Sequence, residues 1–191
     1  MARPKSEDKR NAILNAATLV FAERGLAHAP TSAISKAAGV AEGSLFSYFR
    51  TKDVLINELY CEIKRQMAEI MLAGFPDKGD VRARLEHLWN TYVDWGLANP
   101  AQRKVIGQLQ TSTLVTEVSR LESERRFAAI HELAHDATTE HIALSYPKPF
   151  VAAALNALAN TTIEFVEVDP AHAADYRRAG FLMFWNGLSK D

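Results

Sequence analysis

The 191-residue chain has one cysteine, Cys61. That excludes a disulfide framework and points to a reducing compartment. Seven prolines and nine glycines are too few for a collagen-like or linker-like chain. Long clean apolar runs are also missing: the most apolar stretch, Val151 to Val168, carries Asn156, Asn160, Glu164 and Glu167, which makes it a poor membrane span. Met1 to Arg10 is charged rather than apolar and does not have the pattern of a secretory leader. No segment alternates apolar and polar residues over strand length between turn residues, and internal repeats and low-complexity tracts are absent. These absences leave a cytoplasmic, all-α chain as the expectation. Its 48% apolar and 24% charged residues are enough to build a core and too apolar for a disordered chain.

Charge is nearly balanced, at −1 overall, but not evenly spread. Residues 1–52 hold eight Lys and Arg against four acids, a balance of +4, which leaves −5 for the rest. A basic N-terminal quarter on an acidic body suggests that one end faces a polyanion.

What the chain does have is helical spacing. Ile13, Leu14, Ala17, Val20 and Phe21 fall on one stripe, with Ser6 placed to cap the helix, Glu7 and Asp8 suited to its positive end, and Gly25 as a left-handed stop. A short helix is expected from Thr31 or Ser32 to Ala38, then Gly39, and then another from Glu42 to Phe49. A longer helix starts near Thr51 and carries Leu55, Leu59 and Ile63. Further helices are expected over 80–98, 101–110, 116–144, 150–168 and 170–188, divided by Asn99-Pro100 and by Pro147 and Pro149. Two short helices around a glycine turn, following a longer one, form a helix-turn-helix. Ile34, Ala38, Val40, Leu45 and Phe49 are spaced to face the first helix. Glu42, Gly43, Ser44, Phe46, Ser47 and Tyr48 are left on the wet side, on a helix of the size that a major groove admits.

The stretch Thr31 to Leu55, TSAISKAAGVAEGSLFSYFRTKDVL, resembles the TetR (TetR/AcrR) family of transcriptional regulators, with Gly39-Val40, Gly43, Leu45, Tyr48-Phe49, Lys52 and Leu55 in register. Beyond Tyr60 the likeness is one of architecture only. The resemblance implies a three-helix DNA-binding domain over 1–52 and a helical bundle over 53–191 for effector binding and dimerisation. By position it places Thr31 and Ser32 at phosphate. Glu42, Gly43 and Ser44 fall at the groove-facing start of the recognition helix, with Ser47 on the same face. Phe46 and Tyr48 flank the backbone, and Lys52 neutralises a phosphate. Phe46 stands where the family usually has tyrosine, so its contact is apolar; Ala41 replaces a serine and caps poorly, at a cost of about 0.5–2 kcal/mol. Glu42 either accepts from cytosine N4 or serves as a helix-start charge. Arg3, Pro4 and Lys5 form either a DNA-reaching arm or a solvated tail.

In the body, Leu155, Leu158, Thr162 and Phe165 line one face of the penultimate helix, and Phe181 to Trp185 put five large apolar side chains in a row, among them Phe181, Phe184 and Trp185. Such a row covers every side of a helix, which suggests a homodimer face; the plainer alternative is core. Trp89, Tyr92, Trp95, Phe127 and His131 are candidate walls for a pocket holding a small, hydrophobic effector, again with plain core as the alternative. His131-Glu132-Leu133-Ala134-His135 matches the H-E-x-x-H pattern of zinc peptidases, with His141 at the offset of a third ligand. However, Thr138 stands where that longer pattern needs glycine, and no strand is available to bind a peptide substrate. No enzyme activity, cofactor or metal is therefore expected. The expected partners are operator DNA, an effector and a second copy, and the expected role is that of a ligand-released repressor.

Overall fold

The computed structural model describes residues 6–76, 80–128 and 148–188, and within them the chain is helical with no strand. In chain order the helices are α1 (Glu7–His28), α2 (Thr31–Ala37), α3 (Glu42–Tyr48), α4 (Lys52–Leu72), α5 (Val81–Ala98), α6 (Pro100–Gln110), α7 (Glu117–Arg126), α8 (Lys148–Val168) and α9 (Ala173–Leu188), with a 3-10 turn, Pro170–His172, before the last. Among the described residues, no helix is long and apolar enough to cross a membrane.

The helices group into two compact units that do not follow chain order: Met1–Gln66 with Asn99–Arg125, and Met67–Ala98 with Arg126–Asp191. In the first unit the expected α1 stripe is buried throughout, from Ile13 to Phe21, and packs against Val105, Ile106 and Leu109 of α6. Gly25 breaks α1 with φ +77°, as its lack of a Cβ allows. Gly39 (φ +66°) ends α2: its N–H donates to the Lys36 carbonyl, and the Val40 N–H donates to the Ser35 carbonyl at 3.0 Å. This paired capping fixes the turn between the two short helices. Thr51 caps α4 by accepting from the Val54 N–H at 3.1 Å. Asn57 of α4 holds the approach to α7, donating to the Leu114 carbonyl at 2.9 Å and accepting from the Thr116 N–H at 2.9 Å.

In the second unit the core is aromatic. Trp89 stacks on Phe184 with centroids 6.3 Å apart, meets Phe181 at the same distance, and donates its indole N–H to the Arg177 carbonyl at 3.1 Å. Gly180 permits this closeness, because a Cβ there would lie 2.6 Å from Trp89 Cζ2 and overlap the Thr162 hydroxyl.

Three expectations are corrected. Ser6 sits at the N-cap of α1 without a side-chain capping bond; instead its backbone N–H donates to the Tyr48 hydroxyl at 3.0 Å. The helix expected over 116–144 is interrupted by a turn at Phe127, after Glu117–Arg126, and residues 129–144 lie outside the described residues. The last helix begins at Ala173 rather than Pro170, after the 3-10 turn.

Candidate nucleic-acid interface

The helix-turn-helix is held from behind. Ile34, Leu45 and Phe49 are buried against the rest of the first unit, as their spacing requires, while Ala38 and Val40 are half-buried. This leaves an outer surface made of Ser32 and Lys36 from α2, Glu42, Gly43, Phe46 and Ser47 from α3, and Arg50 beyond it, all exposed. Ser44 and Tyr48 lie half-buried at its edge. The Thr31 hydroxyl donates to the Glu42 carboxylate at 3.1 Å, so one hydrogen bond ties the starts of the two helices. Ser47 donates its hydroxyl to the Gly43 carbonyl at 3.0 Å. At Gly43 an added Cβ would meet nothing within 4 Å among the described residues. The protein's own packing therefore does not require glycine there. A partner that approaches the backbone would.

Two further residues assigned to DNA by the resemblance, Tyr48 and Lys52, are tied back to α1. The Tyr48 hydroxyl accepts from the Ser6 N–H, tying α3 to the start of α1. The Lys52 ammonium donates to the Leu26 carbonyl at 2.6 Å and lies 5.8 Å from the centroid of the Phe21 ring. There it satisfies an orphan carbonyl near the end of α1. Neither tie is visible in the spacing of the residues, since each joins positions far apart in the chain. The same holds for the ion pair of Arg10 with Glu58, at 2.6 Å, which anchors α1 to α4. Arg3, Pro4 and Lys5 lie outside the described residues.

The expected effector residues divide. Trp89, Tyr92 and Trp95 are buried, with Tyr92 and Trp95 in ring contact at 5.8 Å, and they form core of the second unit. Phe127 is half-buried. His131 lies outside the described residues, as does the whole His131-to-His141 constellation. A cleft of about 250 Å³ opens elsewhere, in the first unit, lined by Asn11, Leu14, Asn15, Glu62, Arg65 and Gln66. It is polar, and the Arg65 guanidinium, 2.6 Å from Glu62, holds that carboxyl below its ordinary range. Of the expected pairing residues, Phe181 and Phe184 are 2% and 5% exposed and turn onto Trp89, and Thr162 is buried beside them. They are core because α9 packs on α5 as well as on α8. Leu155, Leu158 and Trp185 are half-buried, and Phe165 is 54% exposed.

The model for the family described as "Bacterial regulatory proteins, tetR family" matches residues 13–59, the segment that forms α1 to the first half of α4. A tetR family transcription regulator from Shewanella sp. PV-4 has a solved structure that superposes with a TM-score of 0.85, at 26% identity over 96% of this chain and 99% of that one. Over residues 13–59 the chain matches the TetR family of transcriptional regulators, and its fold is that of the Shewanella regulator. Two curated relatives are similar over shorter spans. The fatty acid metabolism regulator protein of Bacillus subtilis (strain 168) is 34% identical over 73 residues, 38% of this chain and 38% of its own. The HTH-type transcriptional repressor KstR2 of Rhodococcus jostii (strain RHA1) is 29% identical over 143 residues, 70% of this chain and 64% of its own. The chain thus spans less than two thirds of the length of either. The family model falls on the region that holds α2 and α3, so the likeness and the wet face coincide.

Proposed function

We propose that this chain is a sequence-specific, ligand-released repressor that binds a palindromic operator as a homodimer in the cytoplasm. The observation that carries the reading is the outer face of α3, seven residues long with only Leu45 buried. Such a helix gains little from its own core, and it exposes a backbone at Gly43 that nothing among the described residues covers. A major groove is the surface it fits. In this reading Glu42, Gly43 and Ser44 approach base edges, Ser47 lies on the same face, and Phe46 packs on the sugar-phosphate backbone. Thr31 and Ser32 offer hydroxyls to phosphate, Tyr48 holds the helix in place, and Lys52 contributes positive charge.

One such reader covers few base pairs, so two are needed, about 34–36 Å apart to meet successive turns of the groove. The second copy is supported by apolar side chains that the second unit leaves outside: Phe165, and Met183 at 66% exposed, beside half-buried Leu155, Leu158 and Trp185. The division of labour is a reader over 1–52 and a sensing and pairing body over 53–191. The effector class favoured is a fatty-acid-derived amphiphile, since one relative is a fatty acid metabolism regulator. It releases DNA by binding more tightly to a dimer whose readers are wrongly spaced, because a ligand shifts an equilibrium only by its differential affinity. No catalytic step is required of any residue. The test is operator binding with and without fatty acid: the reading expects one ligand to raise the melting temperature and lower operator affinity together. If the ligand that stabilises the protein leaves DNA affinity unchanged, ligand release is wrong.

A further inference from the structure

We propose that Arg84 and His87, which flank Phe75, seat the anionic head of an amphiphile: a carboxylate or a phosphate. Three observations lead there. Arg84 lies in the first turn of α5 on the inward-facing stripe with Val81, Leu85 and Leu88, and is only 9% exposed. Its Nε and Nη2 are buried, and no hydrogen-bond acceptor meets either of them; among the described residues no carboxylate pairs with this guanidinium. The guanidinium lies over the Phe75 ring, its carbon 5.2 Å from the ring centroid. His87, three residues further along α5, meets the same ring edge-on at 5.8 Å and 85°, and its Nε2 is also buried without a partner. Two orphaned nitrogen-bearing groups therefore converge on one aromatic side chain, in the second unit.

Arginine cannot escape burial by losing its proton. A buried, unpaired cation is one of the most costly arrangements a protein can hold, and a ring face offsets only part of that cost. The planar fork of N–H groups matches an oxyanion with two or three acceptor oxygens, and the match is stronger where water is excluded. In the tautomer that carries its proton on Nε2, His87 adds a third donor. Leucine or methionine would serve packing better at position 84. An arginine there is explained by something negative that arrives from outside.

The head group follows from Arg84 and His87 alone. The apolar tail rests on the effector reading above. The test therefore uses no DNA, so its outcome stands apart from that of the repressor reading. Full-length protein is titrated by calorimetry with dodecanoate, dodecyl phosphate and dodecanol below their micelle concentrations, as wild type, Arg84→Met, Arg84→Lys and His87→Gln. Wild type is expected to bind one or both anions at least about tenfold more tightly than the alcohol, the scale of a charge-assisted hydrogen bond. Arg84→Met should remove that preference and leave dodecanol unchanged, Arg84→Lys should keep part of it, and His87→Gln should lose less. The anion more affected by Arg84→Met identifies carboxylate or phosphate as the head. Without ligand, Arg84→Met should melt at the same temperature as wild type or higher, because it removes an unpaired buried charge while methionine still contacts Phe75. The proposal is overturned if neither anion binds, if dodecanol binds as tightly as the anions, or if Arg84→Met lowers the melting temperature and leaves anion affinity intact.

Discussion

Helices α2 and α3 bury only Ile34, Ser35 and Leu45 in two seven-residue segments, whereas α5 buries nine of its eighteen residues. The same unit of structure serves opposite ends. In α2 and α3, polar and small side chains are kept outside, and their positions are fixed from behind by a few buried anchors and long-range hydrogen bonds. In α5, the aromatic side chains that resemble a ligand cage are consumed by packing, with Trp89 held between Phe181, Phe184 and the wall at Gly180. A surface that stays wet at a cost to burial indicates a partner, and an aromatic stripe alone does not.

The contrast can be broken most directly at Trp89. As core, Trp89→Ala should cost about 3–5 kcal/mol in urea unfolding; a loss below about 1 kcal/mol would mean that the residue lines open space, and the cage reading would return. The two glycines sharpen it further. Gly180→Ala forces a Cβ into Trp89 and Thr162 and should cost about 1–3 kcal/mol. Gly43→Ala meets nothing, so stability should hold or rise by up to about 1 kcal/mol, while affinity for the preferred duplex falls. Equal behaviour of the two variants in both assays would erase the distinction between the regions.

Lys52→Ala gives a smaller and double effect. Losing the bond to the Leu26 carbonyl should cost about 0.5–1.5 kcal/mol of stability. If the ammonium also neutralises one phosphate per reader, the slope of log affinity against log salt should flatten by about 0.9 for each reader. Reduced stability with an unchanged slope would confine Lys52 to its internal role. The smallest expected effect lies at the junction of α8 and α9. Asp169 accepts hydrogen bonds from His172 at 2.8 Å and Tyr176 at 3.0 Å, which hold its carboxyl below the ordinary range. A lowered folded pKa means stability that is present above the ordinary carboxylate value and lost as pH falls through the lowered one. The melting-temperature advantage of wild type over Asp169→Asn should therefore be level near neutrality and vanish in acid.

Much of the fold is legible from spacing. The α1 stripe, the Gly25 and Gly39 breaks, and the buried series Leu55, Leu59 and Ile63 follow from helical period and the freedom of glycine, both local properties. The ends of helices are less so. Ser6 has the chemistry of a cap, but its N–H goes to Tyr48, forty-two residues away, and such a choice is made only once the chain has folded. The same limit applies to sites. Exposure of Gly43, Phe46 and Ser47 follows from their opposition to Leu45, a local fact. Phe181 and Phe184 are inward because α5 and α8 flank α9, and five apolar residues in a row do not reveal which are covered by their own chain. Arg84, in the first turn of α5, looks in sequence like a solvated helix-start charge; only its burial without an acid reveals otherwise.

The central claim is that α3 reads duplex DNA, and selection of double-stranded sites from a random pool by the full-length chain at low salt tests it most directly. The account predicts enrichment of an inverted repeat bound by two copies, with half-site centres separated by one helical turn or a whole multiple of it. Ser44→Ala should lose more affinity on the selected site than on its scrambled counterpart. Absence of any enriched sequence, or binding by a single copy with equal losses on both duplexes, would contradict it.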